Sequence, residues 1–296
     1  VAKSNDYGNT FSADVKASGW TGGTVCDCCP GSIINSGNTV ALLYRSNLSN
    51  IRDSWTGIST NGGATFSDGW NVDQNNWMYM ACPSNGPDGV IIGDSLYSVF
   101  MNGASGPNRV YWSASSISGI SAQPAQLLTG PITNLYTQNY PRIANSDNAL
   151  AIVWKQNVNG NDELTLRFTN NIATGLTSAY EMVDMNDITN TDIALTNGNI
   201  FVVWQDDNSG TVKYRKGTFT STTGTSENIE KKQFFVSPNP VSDVLNIELG
   251  SIGKAQISVR NILGEEILSA EIAGSENKVL LKTAEWQPGM YFITIH

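Results

Sequence analysis

Four cysteines carry the most distinctive chemistry of the 296-residue chain: Cys26, Cys28 and Cys29 in one short stretch, and Cys82 far downstream. Clustered thiols serve either as disulfides in an oxidising compartment or as ligands for a soft metal such as copper(I) or zinc. Adjacent Cys28 and Cys29 are poorly placed to bond each other, so the expected bridge runs from the first cluster to Cys82. The expected pair is Cys29–Cys82, with the partner inside the cluster left open. Metal capture by Cys26, Cys28, Cys29 and Cys82 is the alternative. No histidine stands near, and Cys-x-Cys-Cys is crowded for a tetrahedral set of four thiolates, so no cofactor is favoured. A second group comprises Arg45, Arg52, Asp53 and Arg142, in which the guanidinium forks suit a carboxylate ligand. Arginines at strand ends more commonly meet solvent or carboxylates, and the structural role is preferred. Trp55, Trp77 and Tyr79 offer rings that stack on a sugar or pack internally.

These residues need a scaffold, and internal repetition supplies it. Residues 40–45 (VALLYR), 96–101 (LYSVFM), 150–155 (LAIVWK) and 200–205 (IFVVWQ) align beneath one another, each with an aromatic residue before its last position. Upstream of each lies a short apolar strand (31–34, 89–92, 141–144, 192–195), joined to it by a small polar turn. Downstream come alternating segments at 51–60, 109–115, 163–169 and 211–216. Repeats of about fifty residues made of short antiparallel strands predict blades of a β-propeller, with Tyr44, Phe100, Trp154 and Trp204 in the core. One face then collects residues 26–30, 45–53, 79–87, 101–109, Tyr140, Arg142, 155–163 and 205–208. The acidic loops at 157–163 and 206–210 lack the alternate ligand spacing of an EF-hand and are explained by turn chemistry.

Ser4-Asn-Asp-Tyr-Gly-Asn-Thr-Phe11 fits S-x-D-x-G-x-T-[FW] and resembles the Asp-box, or BNR repeat, of sialidase-like propellers. Ser59 to Phe66 fits it with Asn61 in place of Asp. The resemblance implies turns held by side-chain hydrogen bonds, with an aromatic packed between sheets. It also implies that Ser4 to Phe11 belongs to a blade whose first strands precede residue 1, so the propeller is expected to be partial. In a sialidase, arginines clamp a carboxylate beside an acid and a Tyr/Glu pair. Arg45, Arg52, Asp53 and Arg142 match part of that set, and no Tyr/Glu pair falls in register.

Residues 217–233 are rich in Thr, Ser and Gly and then charged, as a linker is. From 234 to 296 short alternating segments return, predicting a small sandwich. Here Val236-Ser-Pro238-Asn239-Pro240, Leu245-x-Ile247, Val259-Arg-Asn-Ile-Leu-Gly264 and Gly289-Met-Tyr291-x-Ile293 resemble the type A C-terminal sorting domain of the type IX secretion system. That resemblance implies cargo of a Gram-negative, Bacteroidetes-type bacterium that travels through the periplasm to the outer-membrane surface or beyond. Its implied partners are the translocon, its outer-membrane shuttle protein and a sortase.

The expected fold class is all-β: a partial β-propeller of four-stranded antiparallel blades (1–216), then the linker and a small immunoglobulin-like β-sandwich. With 17 basic against 26 acidic residues the net charge is −9, which repels nucleic acid. No apolar run approaches the roughly 18 to 20 residues that span a bilayer. The expected function is secreted or cell-surface cargo whose propeller binds extracellular glycan or protein. The alternatives are a sialidase-like glycoside hydrolase and a cysteine-loop metal-binding propeller.

Overall fold

A computed structural model describes residues 1–220, 234–249, 255–272 and 278–295. The chain divides into two compact units, Val1–Thr223 and Gly224–His296. In the first, four up-and-down antiparallel sheets follow one another. Sheet one holds β1 (Ser32–Ser36), β2 (Thr39–Arg45), β3 (Ser54–Ser59) and β4 (Asp68–Asn71). Sheet two holds β5 (Asp88–Ile92), β6 (Ser95–Asn102), β7 (Arg109–Ser116) and the short β8 (Ser121–Ala122) and β9 (Gln126–Leu127), both of which pair with β7. Sheet three holds β10 (Leu135–Ser146), β11 (Ala149–Val158), β12 (Asn161–Thr169) and β13 (Glu181–Met185). Sheet four holds β14 (Ile188–Thr196), β15 (Asn199–Asp206) and β16 (Thr211–Thr218).

The same device opens each sheet. The first two strands close over two residues, one of which takes the left-handed conformation: Gly37 (φ +57°), Gly93 (φ +59°), Asp147 (φ +50°) and Gly198 (φ +75°). Such turns match the twist of the strands they join and fix the register. The register turns alternate residues of β2, β6, β11 and β15 to opposite faces, and the faces pack in sequence. Leu43, Ile58 and Trp70 of the first sheet meet Ile91, Leu96 and Phe100 of the second. Val90, Val99 and Val110 of the second meet Ile143, Ile152 and Trp154 of the third. Ala151, Val153 and Leu164 of the third meet Ile193, Val202 and Trp204 of the fourth. Each inner sheet is therefore covered on both faces by its neighbours, which is how propeller blades bury apolar surface. Tyr44, Phe100, Trp154 and Trp204 are all buried.

Two further turns share one hydrogen-bond pattern. Gly8 N donates to Ser4 Oγ at 2.7 Å and Thr10 N to Asp6 Oδ1 at 2.9 Å; Gly63 N donates to Ser59 Oγ at 2.9 Å and Thr65 N to Asn61 Oδ1 at 2.9 Å. The aromatic ends of the two differ from expectation. Phe66 is half-buried, whereas Phe11 is 66 % exposed. Before β1, Trp20 lies across paired Gly57 and Gly69 of β3 and β4, where a Cβ at either position would strike its ring. At its other end the unit runs past residue 216: β16 continues to Thr218, and Phe219 packs on Phe168 with ring centroids 4.9 Å apart. Residues 221–233 of the expected linker lie outside the described residues.

The second unit is a sandwich of two three-stranded sheets. One has the order β17 (Phe234–Ser237), β18 (Val244–Leu249), β21 (Lys278–Lys282); the other has β20 (Glu266–Ile272), β19 (Ala255–Asn261), β22 (Tyr291–Ile295). Leu245, Ile247, Ile257, Val259 and Leu281 form its core. Pro238, Asn239 and Pro240 follow β17, and Gly264, at φ +81°, turns the chain between β19 and β20. Tyr291, just after Gly289, packs on Trp286 and donates its hydroxyl to Gln287 O at 2.7 Å.

Candidate functional site

The end of β2 delivers Arg45 into the loops that link the first two blades. Its side chain is fully buried, at 0 % exposure. Nε donates to Asn85 O at 3.1 Å, Nη2 to Met101 O at 2.8 Å and Nη1 to Arg52 O. The guanidinium also sits 5.3 Å from the ring centroid of Trp77. The fork of Arg45 is thus turned to the main-chain carbonyls of two loops and of the end of β6, and full burial closes it to a ligand carboxylate. Arg52 is likewise buried: Nε donates to Tyr79 O at 3.0 Å and Nη1 to Cys26 Sγ at 3.5 Å. The expectation that these strand-end arginines meet solvent or carboxylates is corrected. Each is enclosed because neighbouring loops fold over it and need donors for their carbonyls.

Asp53 is equally occupied. Its carboxylate accepts from Asn71 Nδ2 (2.8 Å), Asn76 N (3.0 Å) and Trp77 N (2.9 Å), pinning the loop after β4. This is also why β3 begins at Ser54 rather than near residue 51. Arg52 N donates to Trp77 O and Ile51 bridges to Met78, so this stretch pairs with the loop. Sequence reasoning missed Asp73, which completes the network. It is buried and accepts from Asn102 Nδ2 at 2.9 Å and Asn75 Nδ2 at 2.6 Å. Burial, and then the neighbouring charge of Asp53, push its carboxyl up to about 6. Asp73 and Asp53 in turn offset the enclosed charge of Arg45. Arg142 does not join them. It lies on β10, donates to Pro141 O at 2.9 Å and has Asp88 as its nearby acid.

Trp77 is buried under Arg45 and stacks on Tyr79 at 5.1 Å, so of its two expected roles it takes internal packing rather than stacking on a sugar. Trp55, opposite Tyr44 in the β2–β3 ladder, is half-buried. Tyr79 is 40 % exposed and is flanked by Met78 at 67 % and Met80 at 84 %.

The cysteines gather at the same edge. The bridge to Cys82 comes from Cys28, not Cys29, with a Cα–Cα distance of 6.2 Å. A tight turn in which Cys29 N donates to Cys26 O sends the two neighbours in different directions. Cys29 Sγ faces Cys26 Sγ at 3.1 Å, and Cys26 Sγ lies 3.4 Å from Cys28 Sγ. Cys26 is buried, Cys29 is half-buried, and bridged Cys28 and Cys82 are exposed. Burial and the Cys26 contact push the Cys29 thiol up to about 11. Gly86 lets the two cysteine loops meet, since a Cβ there would collide with the Pro30 carbonyl. A groove of about 230 Å³ lies elsewhere, between the third and fourth blades, lined by Leu166, Phe168, Val183, Ile200, Val202 and Phe219 among others. It holds none of the candidate residues.

The first unit is therefore defined as propeller blades, the first two of which have their loops held together by arginine, carboxylate and sulfur contacts, and the second as a small sandwich. Residues 235–296 match the family described as "Secretion system C-terminal sorting domain". The chain thus ends in a sorting domain of the type IX system, and export to the cell surface or beyond follows from it. No curated protein matches the sequence significantly. Among solved structures, the chain is similar to a thermostable family-43 glycoside hydrolase (10 % identity, 88 % of this chain and 94 % of that one, TM-score 0.42). It is also similar to an endo-arabinase from Bacteroides thetaiotaomicron (13 %, 66 % and 76 %, 0.40) and a GH32 β-fructofuranosidase from Bombyx mori (13 %, 92 % and 70 %, 0.42). Nothing about the chemistry of this chain follows from likenesses so slight.

Proposed function

We propose that the exported chain works outside the cell as a non-catalytic module of the sialidase-like, Asp-box class, its propeller binding extracellular glycan or protein. The carrying observation is the occupancy of Arg45 and Arg52: both guanidinium groups are buried and bonded to main-chain carbonyls or sulfur. A sialidase needs such groups open to its substrate. The shared turns at Ser4–Thr10 and Ser59–Thr65 support the Asp-box assignment. The ligand contact is assigned to exposed Met78, Tyr79 and Met80, where an aromatic face is available for stacking. Routing proceeds through the periplasm, translocon, shuttle protein and sortase of a Gram-negative host.

The test combines a fluorogenic sialoside assay with a glycan and surface-protein binding panel on the purified full chain. Expected are no sialic acid release and binding that Tyr79→Ala weakens about tenfold. Sialic acid release that disappears in Arg52→Ala would overturn the reading. One observation favours a second reading, copper(I) or zinc binding in the fully reduced chain: the Cys26, Cys28 and Cys29 sulfurs lie within 4.8 Å of one another.

A further inference from the structure

The two unbridged cysteines are not placed as isolated buried thiols. Cys26 Sγ stands between two other sulfurs, 3.4 Å from Cys28 Sγ of the bridge and 3.1 Å from Cys29 Sγ. Thiol–disulfide exchange requires a thiol sulfur in contact with one sulfur of a disulfide, which attacks as the thiolate, and an accessible leaving sulfur. The contact and the accessible sulfur are both present. Cys82, the far sulfur of the bridge, is exposed, and its Sγ lies 3.1 Å from Ser84 Oγ, a polar partner for the departing thiolate. Arg52 Nη1 donates to Cys26 Sγ and supplies the cationic neighbour that reactive cysteines have.

We propose that Cys26, Cys28, Cys29 and Cys82 form a two-electron thiol–disulfide relay, in which the inner Cys26/Cys29 dithiol exchanges with the exposed Cys28–Cys82 bridge. In the first step the Cys26 thiolate attacks Cys28 Sγ. The Cys26–Cys28 bond forms, the Cys28–Cys82 bond breaks, and Cys82 leaves as a thiolate. In the second step the Cys29 thiolate attacks Cys26 Sγ, forming Cys26–Cys29 and releasing Cys28 as a thiolate. The protons lost by Cys26 and Cys29 reach Cys82 and Cys28 through solvent. One disulfide and two thiols stand on each side, so the isomerisation needs no external oxidant. Cys29 acts second because the sulfur its own Sγ meets, at 3.1 Å, is that of Cys26. The product carries an exposed Cys28/Cys82 dithiol. That pair reduces an external disulfide, a small molecule or an exposed protein bridge, by closing its own bond and releasing two thiols. The chain then holds both disulfides.

The experiment uses the full chain equilibrated across reduced and oxidised glutathione buffers, acid-quenched, differentially alkylated and mapped by mass spectrometry. Expected are two isomers of the singly bridged form, Cys28–Cys82 and Cys26–Cys29, and uptake of two equivalents of glutathione disulfide by the fully reduced chain. Cys26→Ser is expected to hold only Cys28–Cys82 and to take up one equivalent. Should that variant fail to fold, the wild-type map and stoichiometry still decide. A single Cys28–Cys82 isomer at every potential overturns the relay, and so does uptake of one equivalent by the wild-type chain.

Discussion

Replacing Arg45 with Ala separates a structural arginine from a ligand clamp. The side chain makes three hydrogen bonds from a charged group to main-chain carbonyls and faces the Trp77 ring. Bonds of this kind contribute about 1.5–3 kcal/mol each, but they form one network and do not add. The carbonyls of Asn85, Arg52 and Met101 lose their donor, and the charge of Asp73 loses its offset. Taken as one network, the loss is about 3–5 kcal/mol, short of three such bonds added together. For a propeller unit of this size that lowers Tm by about 6–20 °C. Arg45→Lys keeps the charge and reaches fewer of the carbonyls, so its loss is expected to be intermediate. Thermal unfolding followed by tryptophan fluorescence reads the change directly, since Trp77 lies against the group removed. The reasoning is refuted if Arg45→Ala melts within a degree or two of the wild type, and above all if it does so while ligand binding or hydrolysis disappears.

Deleting residues 234–296 is expected to leave the cargo in the periplasm, and fractionation that finds normal export of the truncated chain would sink the sorting assignment. For Asp73, whose carboxyl is raised from 3.8 to about 6, the folded state holds the proton more tightly than the unfolded one. Its contribution therefore falls as pH rises from about 4 to about 6, by on the order of 3 kcal/mol. Asp88 is raised by burial and slopes the same way, so Asp73→Asn should flatten part of the dependence; denaturant midpoints at pH 4 and 7 that shift as in the wild type would refute this. Removing the bridge with Cys28→Ser and Cys82→Ser opens a separation of 54 residues, a loss of about 4 kcal/mol by chain entropy, measurable as a lowered denaturant midpoint. Gly57→Ala forces Trp20 and the Ala17 carbonyl aside, with an expected loss of about 1–3 kcal/mol and altered Trp20 emission.

The blades were legible because their cause is local and repeated. A left-handed two-residue turn, a strand ending in a buried aromatic and an alternating third strand recur four times, and each recurrence supports the others. The same alignment contains one further signal, two residues past the aromatic, where Ser46, Asn102, Gln156 and Asp206 are all buried polar groups. Each side chain is tied to a neighbouring loop or strand: Ser46 Oγ to Leu48 N, Asn102 to Asp73, Gln156 to Gln138 of β10, Asp206 to Lys213 of β16. A polar residue kept at a core-facing strand end in every repeat marks a bonded position, and Asp73 could have been sought as the partner of Asn102 from that pattern.

The role of Arg45 was not legible, because two of its three partners come from 40 and 56 residues away and all three are carbonyls, which carry no residue identity. The choice of Cys28 over Cys29 was hidden for a related reason. Adjacent side chains in a tight turn diverge, and which one meets Cys82 depends on where Gly86 seats the opposing loop. Chemistry at this edge is therefore set by the packing of loops between blades. The arginine that resembles a ligand clamp in sequence holds together the loops that bring four sulfurs into reach of one another.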